Sequence, residues 1–293
     1  MLKGIFPAIV TPFATGGDVD YAALRGNLQR WNQIDLAGYL VVGSTGESVY
    51  LNEGERARVI AKAREEIPLN KTMIVGAGRE STRATINSAR QAASLGADVA
   101  LVVTPSYFKP SLDESAFIRH YLAVADDSPI PVLLYNVPVF TGVRLPVPAV
   151  RSLAEHRNII GIKDSEGNIS QIVEIASSVP AGFRVLVGST GSFLSALLQG
   201  AVGAILAIAN VAPRECVGIY QAVQQGDLET ARRLHIRVFR LGQRLSPYGI
   251  GGLKAALSLL GYDGGRPRLP LVYPDPAGTA GIERALQKHR FLK

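Results

Sequence analysis

The sequence predicts a (β/α)8 barrel with a C-terminal helical extension. Eight short apolar runs recur along residues 5–208, each rich in Val, Ile or Leu and apolar on both faces. That pattern suits parallel strands covered on both sides. Amphipathic segments separate the runs, giving strand–helix units of about 25 residues each, which is barrel spacing. The rival, an open doubly wound sheet, usually carries a Gly-rich nucleotide turn after its first strand. Here the first run leads into Thr11-Pro12-Phe13 instead. Residues 1–210 are read as the barrel that carries the active site, and 211–293 as the helical region.

The runs are 5–10, 38–42, 72–76, 99–103, 132–135, 159–162, 184–187 and 204–208. Helical patterns follow at 20–32, from Asn52 onward, and at 81–94, 113–125, 146–155, 170–178 and 191–198. Asn52-Glu-Gly-Glu places acidic residues in a first turn, where the helix dipole favours them. Ser81 opens its helix as a cap, and Gly96 closes it. The tail reads as three helices, 213–224, 228–245 and 251–260.

Composition excludes several classes. The chain has 293 residues, 47% hydrophobic and 19% charged, so it is globular rather than disordered. Lys and Arg outnumber Asp and Glu by 31 to 24, for a net charge of +7. The densest basic group is Arg232, Arg233, Arg237, Arg240 and Arg244 on one apparent helix. It reads as a solvated face or subunit contact, because no DNA-binding pattern or aromatic-interleaved basic strand accompanies it. The expectation is no nucleic-acid partner. Cys216 is the only cysteine, which rules out an internal disulfide and a multi-cysteine metal cluster. It reads as a buried apolar residue. No apolar run reaches the ~18–20 residues that span a bilayer, and the N-terminus is too short and Pro-broken for a signal peptide. The expected location is cytoplasmic, with no membrane partner.

The sequence contains no phosphate-loop, dinucleotide or nucleophile-elbow motif. The four histidines, 120, 156, 235 and 289, are scattered in helices or at helix ends and read as surface residues. With no His cluster and no Cys pair, no metal is expected. The chemistry must then come from side chains at the C-terminal strand ends, where barrel enzymes keep their active sites. Lys163 closes the apolar run at 159–162. Desolvation there disfavours the ammonium, and a neutral amine can form a Schiff base with a ketone. The alternative is a structural ion pair with Asp164, Glu166 or Glu47. Tyr135 closes the preceding run, so its ring should neighbour Lys163, either to shuttle protons or as a rim aromatic bonded to backbone. Gly43-Ser44-Thr45-Gly46 offers amides and hydroxyls for a carboxylate, or is an ordinary loop. Tyr107 is either a site residue or a loop anchor.

Four motifs stand at these strand ends: GSTGE at 43–47, TPSYF at 104–108, YNVP at 135–138 and GIKDS at 161–165. In order, spacing and strand position they resemble the dihydrodipicolinate synthase/N-acetylneuraminate lyase family of class I aldolases, from Gly4 to about Pro270. The resemblance implies a (β/α)8 barrel, commonly a homotetramer built as a dimer of dimers, acting on pyruvate or a related 2-oxo acid and an aldehyde. It implies Lys163 as the Schiff-base lysine, with no other cofactor. It implies Tyr135 as the proton-shuttling tyrosine and Ser44 and Thr45 as the carboxylate-holding pair, Thr45 also joining the relay. Tyr107 matches a tyrosine that reaches into a neighbouring subunit. Gly188 and Ile205 match positions lining the Schiff-base pocket; the residues alone do not single them out.

One departure bears on the branch. Dihydrodipicolinate synthases usually carry Arg two residues after the proline of YNVP, where it meets a substrate carboxylate. Here that position is Phe140, which cannot make a bidentate carboxylate contact. Arg144 and Arg79 are candidate substitutes. Several stretches, SPIPVLLYNVPVFTG and YGIGGLKAALSLLGYDGG among them, look more like 4-hydroxy-2-oxoglutarate aldolase. In that branch the Ser165 position is associated with the hydroxyl end of the substrate. The Ser44-Thr45 pair departs from the Ser-Asn of some members, leaving the substrate open. The expected reaction is cleavage of a 4-hydroxy-2-oxo acid to pyruvate and an aldehyde such as glyoxylate. Dihydrodipicolinate synthesis, or a 2-keto-3-deoxy sugar acid aldolase or dehydratase, are the family alternatives. A non-catalytic 2-oxo-acid-binding barrel is the alternative outside enzymes.

Overall fold

The computed structural model describes residues 2–292. Eight strands, β1 (Gly4–Pro7), β2 (Gly38–Val41), β3 (Thr72–Gly76), β4 (Val99–Val103), β5 (Val132–Asn136), β6 (Ile159–Asp164), β7 (Arg184–Val187) and β8 (Gly203–Leu206), form one sheet in the order β1-β8-β7-β6-β5-β4-β3-β2. A parallel bridge from Ala8 to Leu40 joins its two ends. This is a (β/α)8 barrel. Strand residues are almost all buried, as two-sided apolar runs require.

Helices follow in barrel order. They are α1 (Tyr21–Trp31), α2 (Glu53–Glu66), α3 (Thr82–Ser94), α4 (Glu114–Asp127), the single turn α5 (Pro138–Thr141), α6 (Val147–Leu153), α7 (Ile169–Ser178) and α8 (Phe193–Leu198). The tail adds α9 (Pro213–Gln224), α10 (Leu228–Leu245), α11 (Gly249–Leu259) and α12 (Pro276–Lys288). Caps set the starts. Asp20, Ser81, Asp113, Asn168 and Asp227 each accept from an amide three residues on. Asn52 and Glu55 form a reciprocal capping box, which is how Asn52-Glu-Gly-Glu begins its helix. Sequence patterning does not find α12. Its first seven residues include Pro276, Gly278 and Gly281, poor helix formers that packing overrides. None of the described helices is long and apolar enough to cross a membrane.

By its contacts the chain divides into two compact units. One runs up to Gly4 and from Thr72 to Ile205; the other holds Ile5–Lys71 and everything from Leu206 onward. The first carries β3 to β7 and most of β8. Its strands pair in parallel register, Ile74 opposite Val99, Val103 opposite Tyr135 and Lys163 opposite Leu186. Between β5 and β6 the register shifts: Val132 faces Ile159, but Leu133 faces Gly161. This bulge sets every later pair of the two strands.

The first and last strands, Gly4–Pro7 and Gly203–Leu206, stop short of their apolar runs. Asn210 bonds the backbone beyond both. Its buried amide donates to the carbonyls of Ala8 and Ala207, both at 2.7 Å, and its carbonyl oxygen accepts from Val10 N at 3.2 Å. Backbone bonds still run from Ala8 N to Leu206 O and from Ile9 N to Leu40 O, both at 3.0 Å, and this one side chain satisfies the groups beside them. The arginine cluster falls on α10. Arg237 pairs with Glu215 at 3.3 Å and donates to the carbonyls of His289 and Arg290, tying α10 to the chain after α12. Cys216 is buried, and burial pushes its thiol up.

One histidine is not on the surface. His120 on α4 is buried, with Nδ1 2.9 Å from Thr82 Oγ1 on α3. Burial lowers its pKa to about 4, against a smaller opposing pull from Glu80. The unfolded chain therefore binds the proton more tightly, and stability falls as pH drops from about 6.5 to about 4, by roughly 3 kcal/mol at the limit. A proton NMR titration should place the His120 midpoint below 5; a midpoint near 6.5 would refute this.

Candidate active site

Register places the central pair. Tyr135 is the Cα partner of Lys163, and both side chains are 4% exposed. The Lys163 Nζ sits over the Tyr135 ring, 4.1 Å from its centroid. The three carboxylates that could have neutralised Lys163 all have other partners. Asp164 lies next in the strand and so points to the opposite face. It accepts from Asn136 Nδ2 at 2.8 Å, Gln171 Nε2 at 2.9 Å and Glu166 N at 3.0 Å. Burial pushes its pKa up, and these bonds oppose the push. Glu166 takes the fork of Arg144, and Glu47 pairs with Lys254. Among the described residues Lys163 has no ion-pair partner. The structural ion pair is thus the wrong reading of this lysine.

Gly188 follows β7 and faces the same point. A Cβ built on it would meet Ser165 Oγ at 1.9 Å and Lys163 Cε at 2.9 Å, so only glycine fits. Ser165 Oγ is buried without a hydrogen-bond partner there, a polar atom with its bonding capacity unused. Lys163, Tyr135, Ser165 and Gly188 are therefore brought together. Ile205 is buried on β8.

Tyr107 stands apart. It is 78% exposed, edge-on to the Phe108 ring at 5.0 Å. Its loop is nonetheless built. Glu80 accepts from the amides of Ser106 and Tyr107, both at 2.8 Å, and from Ser106 Oγ at 3.1 Å. Nothing in the sequence relates Glu80 to a tyrosine on the next strand's loop. Phe140, on α5, is 69% exposed. Neither candidate arginine replaces the one it displaces: Arg144 is engaged by Glu166, and Arg79 turns back onto the Gly78 carbonyl at 3.0 Å.

Ser44 and Thr45 lie in the other unit, in the turn that follows β2. Ser44 O accepts from Glu47 N at 3.0 Å, and Thr11 Oγ1 donates to Gly46 O at 2.7 Å. Two non-glycine residues bracket this loop in left-handed backbone, Val42 at φ 47° and Glu47 at φ 54°. Each costs on the order of 1–3 kcal/mol, which the surroundings must offset. Among the described residues no three His, Cys, Asp or Glu side chains cluster as metal ligands.

Three comparisons bear on this arrangement. The chain matches the dihydrodipicolinate synthetase family over residues 1–289. It is 37% identical to a 4-hydroxy-tetrahydrodipicolinate synthase of Archaeoglobus fulgidus, covering all of both chains. It is 35% identical to a protein of Emericella nidulans named "Probable 4-hydroxy-2-oxoglutarate aldolase, mitochondrial", covering 98% of this chain and 95% of that one. Among solved structures it resembles a prophage protein of the dihydrodipicolinic acid synthase family from E. coli K12 in complex with pyruvate, at TM-score 0.94 and 29% identity over 99% of each chain.

Glu80→Ala should free the Ser106–Tyr107 turn, so that chymotrypsin cleaves after Tyr107 or Phe108 several-fold faster. Global unfolding should change by no more than about 1 kcal/mol, because the contacts are exposed. Equal cleavage rates would count against Glu80 as the anchor.

Proposed function

Because the chain belongs to the dihydrodipicolinate synthetase family, whose members are carbon–carbon lyases, we propose that it is a class I aldolase cleaving a 4-hydroxy-2-oxo acid, of the 4-hydroxy-2-oxoglutarate type, to pyruvate and an aldehyde such as glyoxylate. The observation that carries this reading is the buried Lys163, without a carboxylate partner and stacked on Tyr135. A buried lysine that no carboxylate engages is placed as a Schiff-base nucleophile requires.

In this proposal Lys163 adds to the C2 ketone and water leaves, forming an iminium that serves as the electron sink. A base takes the C4 hydroxyl proton, the C3–C4 bond breaks, and the aldehyde departs. The enamine is protonated at C3 and hydrolysed, releasing pyruvate and restoring the amine. Tyr135 relays protons, joined by Thr45 and, from a neighbouring subunit, Tyr107. Ser44 and Thr45 hold the 2-oxo acid's carboxylate, which fixes the carbonyl carbon for attack. Gly188 and Ile205 line the pocket. Ser165, with its unpartnered hydroxyl, takes the hydroxyl end of the substrate. The homotetramer belongs to the same proposal, and exposure of Tyr107 is what a residue serving a neighbour requires. Aldolase is favoured over dihydrodipicolinate synthesis because Phe140 stands where the carboxylate-binding arginine is expected, and neither Arg144 nor Arg79 is free to replace it.

Borohydride reduction with labelled pyruvate should attach one label per chain at Lys163, and Lys163→Ala should abolish it with the fold intact by circular dichroism. Labelling that persists elsewhere, or none in the wild type, would sink the assignment. For the branch, lysine-dependent pyruvate release from 4-hydroxy-2-oxoglutarate should exceed condensation of pyruvate with aspartate semialdehyde. Phe140→Arg should raise the condensation by tenfold or more, since a charge-assisted bond contributes about 1.5–3 kcal/mol. No change would show that this position does not separate the two activities.

A further inference from the structure

Lys254 is a charged side chain that the reaction does not use and the sequence did not single out. It lies on α11, is 0% exposed, and is surrounded on every side. Its ammonium is 2.6 Å from Glu47 Oε1 and donates to the carbonyls of Thr11 and Arg266, each at 2.8 Å. The Phe13 ring lies 4.5 Å away. Glu47 is 1% exposed. Its other oxygen accepts from Arg268 N at 2.8 Å. Arg268 is itself fixed, donating to the carbonyls of Gly17 and Tyr50 and pairing with Glu55 at 2.6 Å.

Burying two charges costs several kcal/mol per ion before their attraction offsets it, and hydrophobic residues of equal volume often serve stability as well. A purpose other than stability therefore has to be sought. Its position supplies one. Glu47 ends the GSTGE turn, in left-handed backbone that a non-glycine residue does not choose for itself. Gly46, beside it, is closely packed: a Cβ there would lie 3.1 Å from Ile9 O and 3.3 Å from Thr11 Oγ1. The carboxylate of Glu47 is what pins this strained end of the loop to α11 and to the segment before α12.

We propose that Glu47 and Lys254 are positioning residues, a buried ionic tether that holds the Ser44–Thr45 loop in the shape that receives the carboxylate of the 2-oxo acid. This rests on the reading of Ser44 and Thr45 given above. The tether acts through the loop and touches no reacting atom. Burial also lowers the Lys254 pKa, with Arg268 adding to the lowering and Glu47 opposing it.

The test uses Glu47→Gln and Lys254→Met in the full chain, with two readouts at pH 7. Amide exchange of the peptide spanning 43–48 should accelerate at least tenfold in each variant, while a peptide within Ile159–Asp164 keeps its protection. The pyruvate concentration giving half-maximal borohydride trapping should rise at least tenfold, with the plateau level unchanged. Unchanged exchange at 43–48 overturns the proposal, as does equal loss of protection in both peptides, which would mark a general structural role. If Lys254→Met does not fold, Glu47→Gln decides, since it keeps the shape and an acceptor for Arg268 N and turns an amide N–H donor toward Lys254 in place of the carboxylate oxygen. Should the wild type fail to trap pyruvate, the proposed activity falls, and the exchange readout still judges the tether.

Discussion

The β-bulge between Val132–Leu133 and Ile159–Gly161 is the constraint on which the central pair depends. Counted without a bulge, Tyr135 would face Ile162, and Lys163 would project from the opposite face of the sheet. The extra residue in β6 puts Lys163 opposite Tyr135 and reverses which side chains point inward. Asp164 is turned away by the same step, into its bonds with Asn136 and Gln171. A single register shift thereby places an amine inside and keeps the adjacent carboxylate from neutralising it.

The distribution of carboxylates completes that arrangement. Asp164, Glu166 and Glu47 lie close in sequence to the site motifs, and each is held by a partner other than Lys163. The pairings form two separate networks, one in each compact unit. In the first, Asn136, Asp164, Gln171, Glu166 and Arg144 brace the ends of β5 and β6. In the second, Glu47, Lys254, Arg268 and Glu55 brace the turn after β2. Partners that orient catalytic side chains are as necessary as the side chains themselves. The first network also occupies Arg144, one of the two arginines that could have replaced the one absent at Phe140.

Much of the fold was legible because its signals are local. Two-sided apolar runs mark the strands, and Asp20, Ser81, Asp113 and the Asn52–Glu55 box mark helix starts to within a residue. Where a non-local side chain takes over, the reading failed. Beyond the first and last strands, Asn210 bonds the backbone of Ala8, Val10 and Ala207 from a distant point in the chain. His120 is buried because α3 covers it, and α12 forms despite its glycines.

The sequence by itself determined the barrel, the strand-end placement of Lys163, Tyr135, Ser44, Thr45 and Tyr107, and the family to which the chain belongs, because each rests on periodicity or on a contiguous motif. Only the tertiary structure decided which groups meet. Contacts such as Glu80 with Tyr107, Glu47 with Lys254 across 207 positions of chain, and Ser165 with Gly188 depend on register and on close approach of backbone. Spacing along a chain carries no information about either, since one residue of slip in a strand exchanges its two faces.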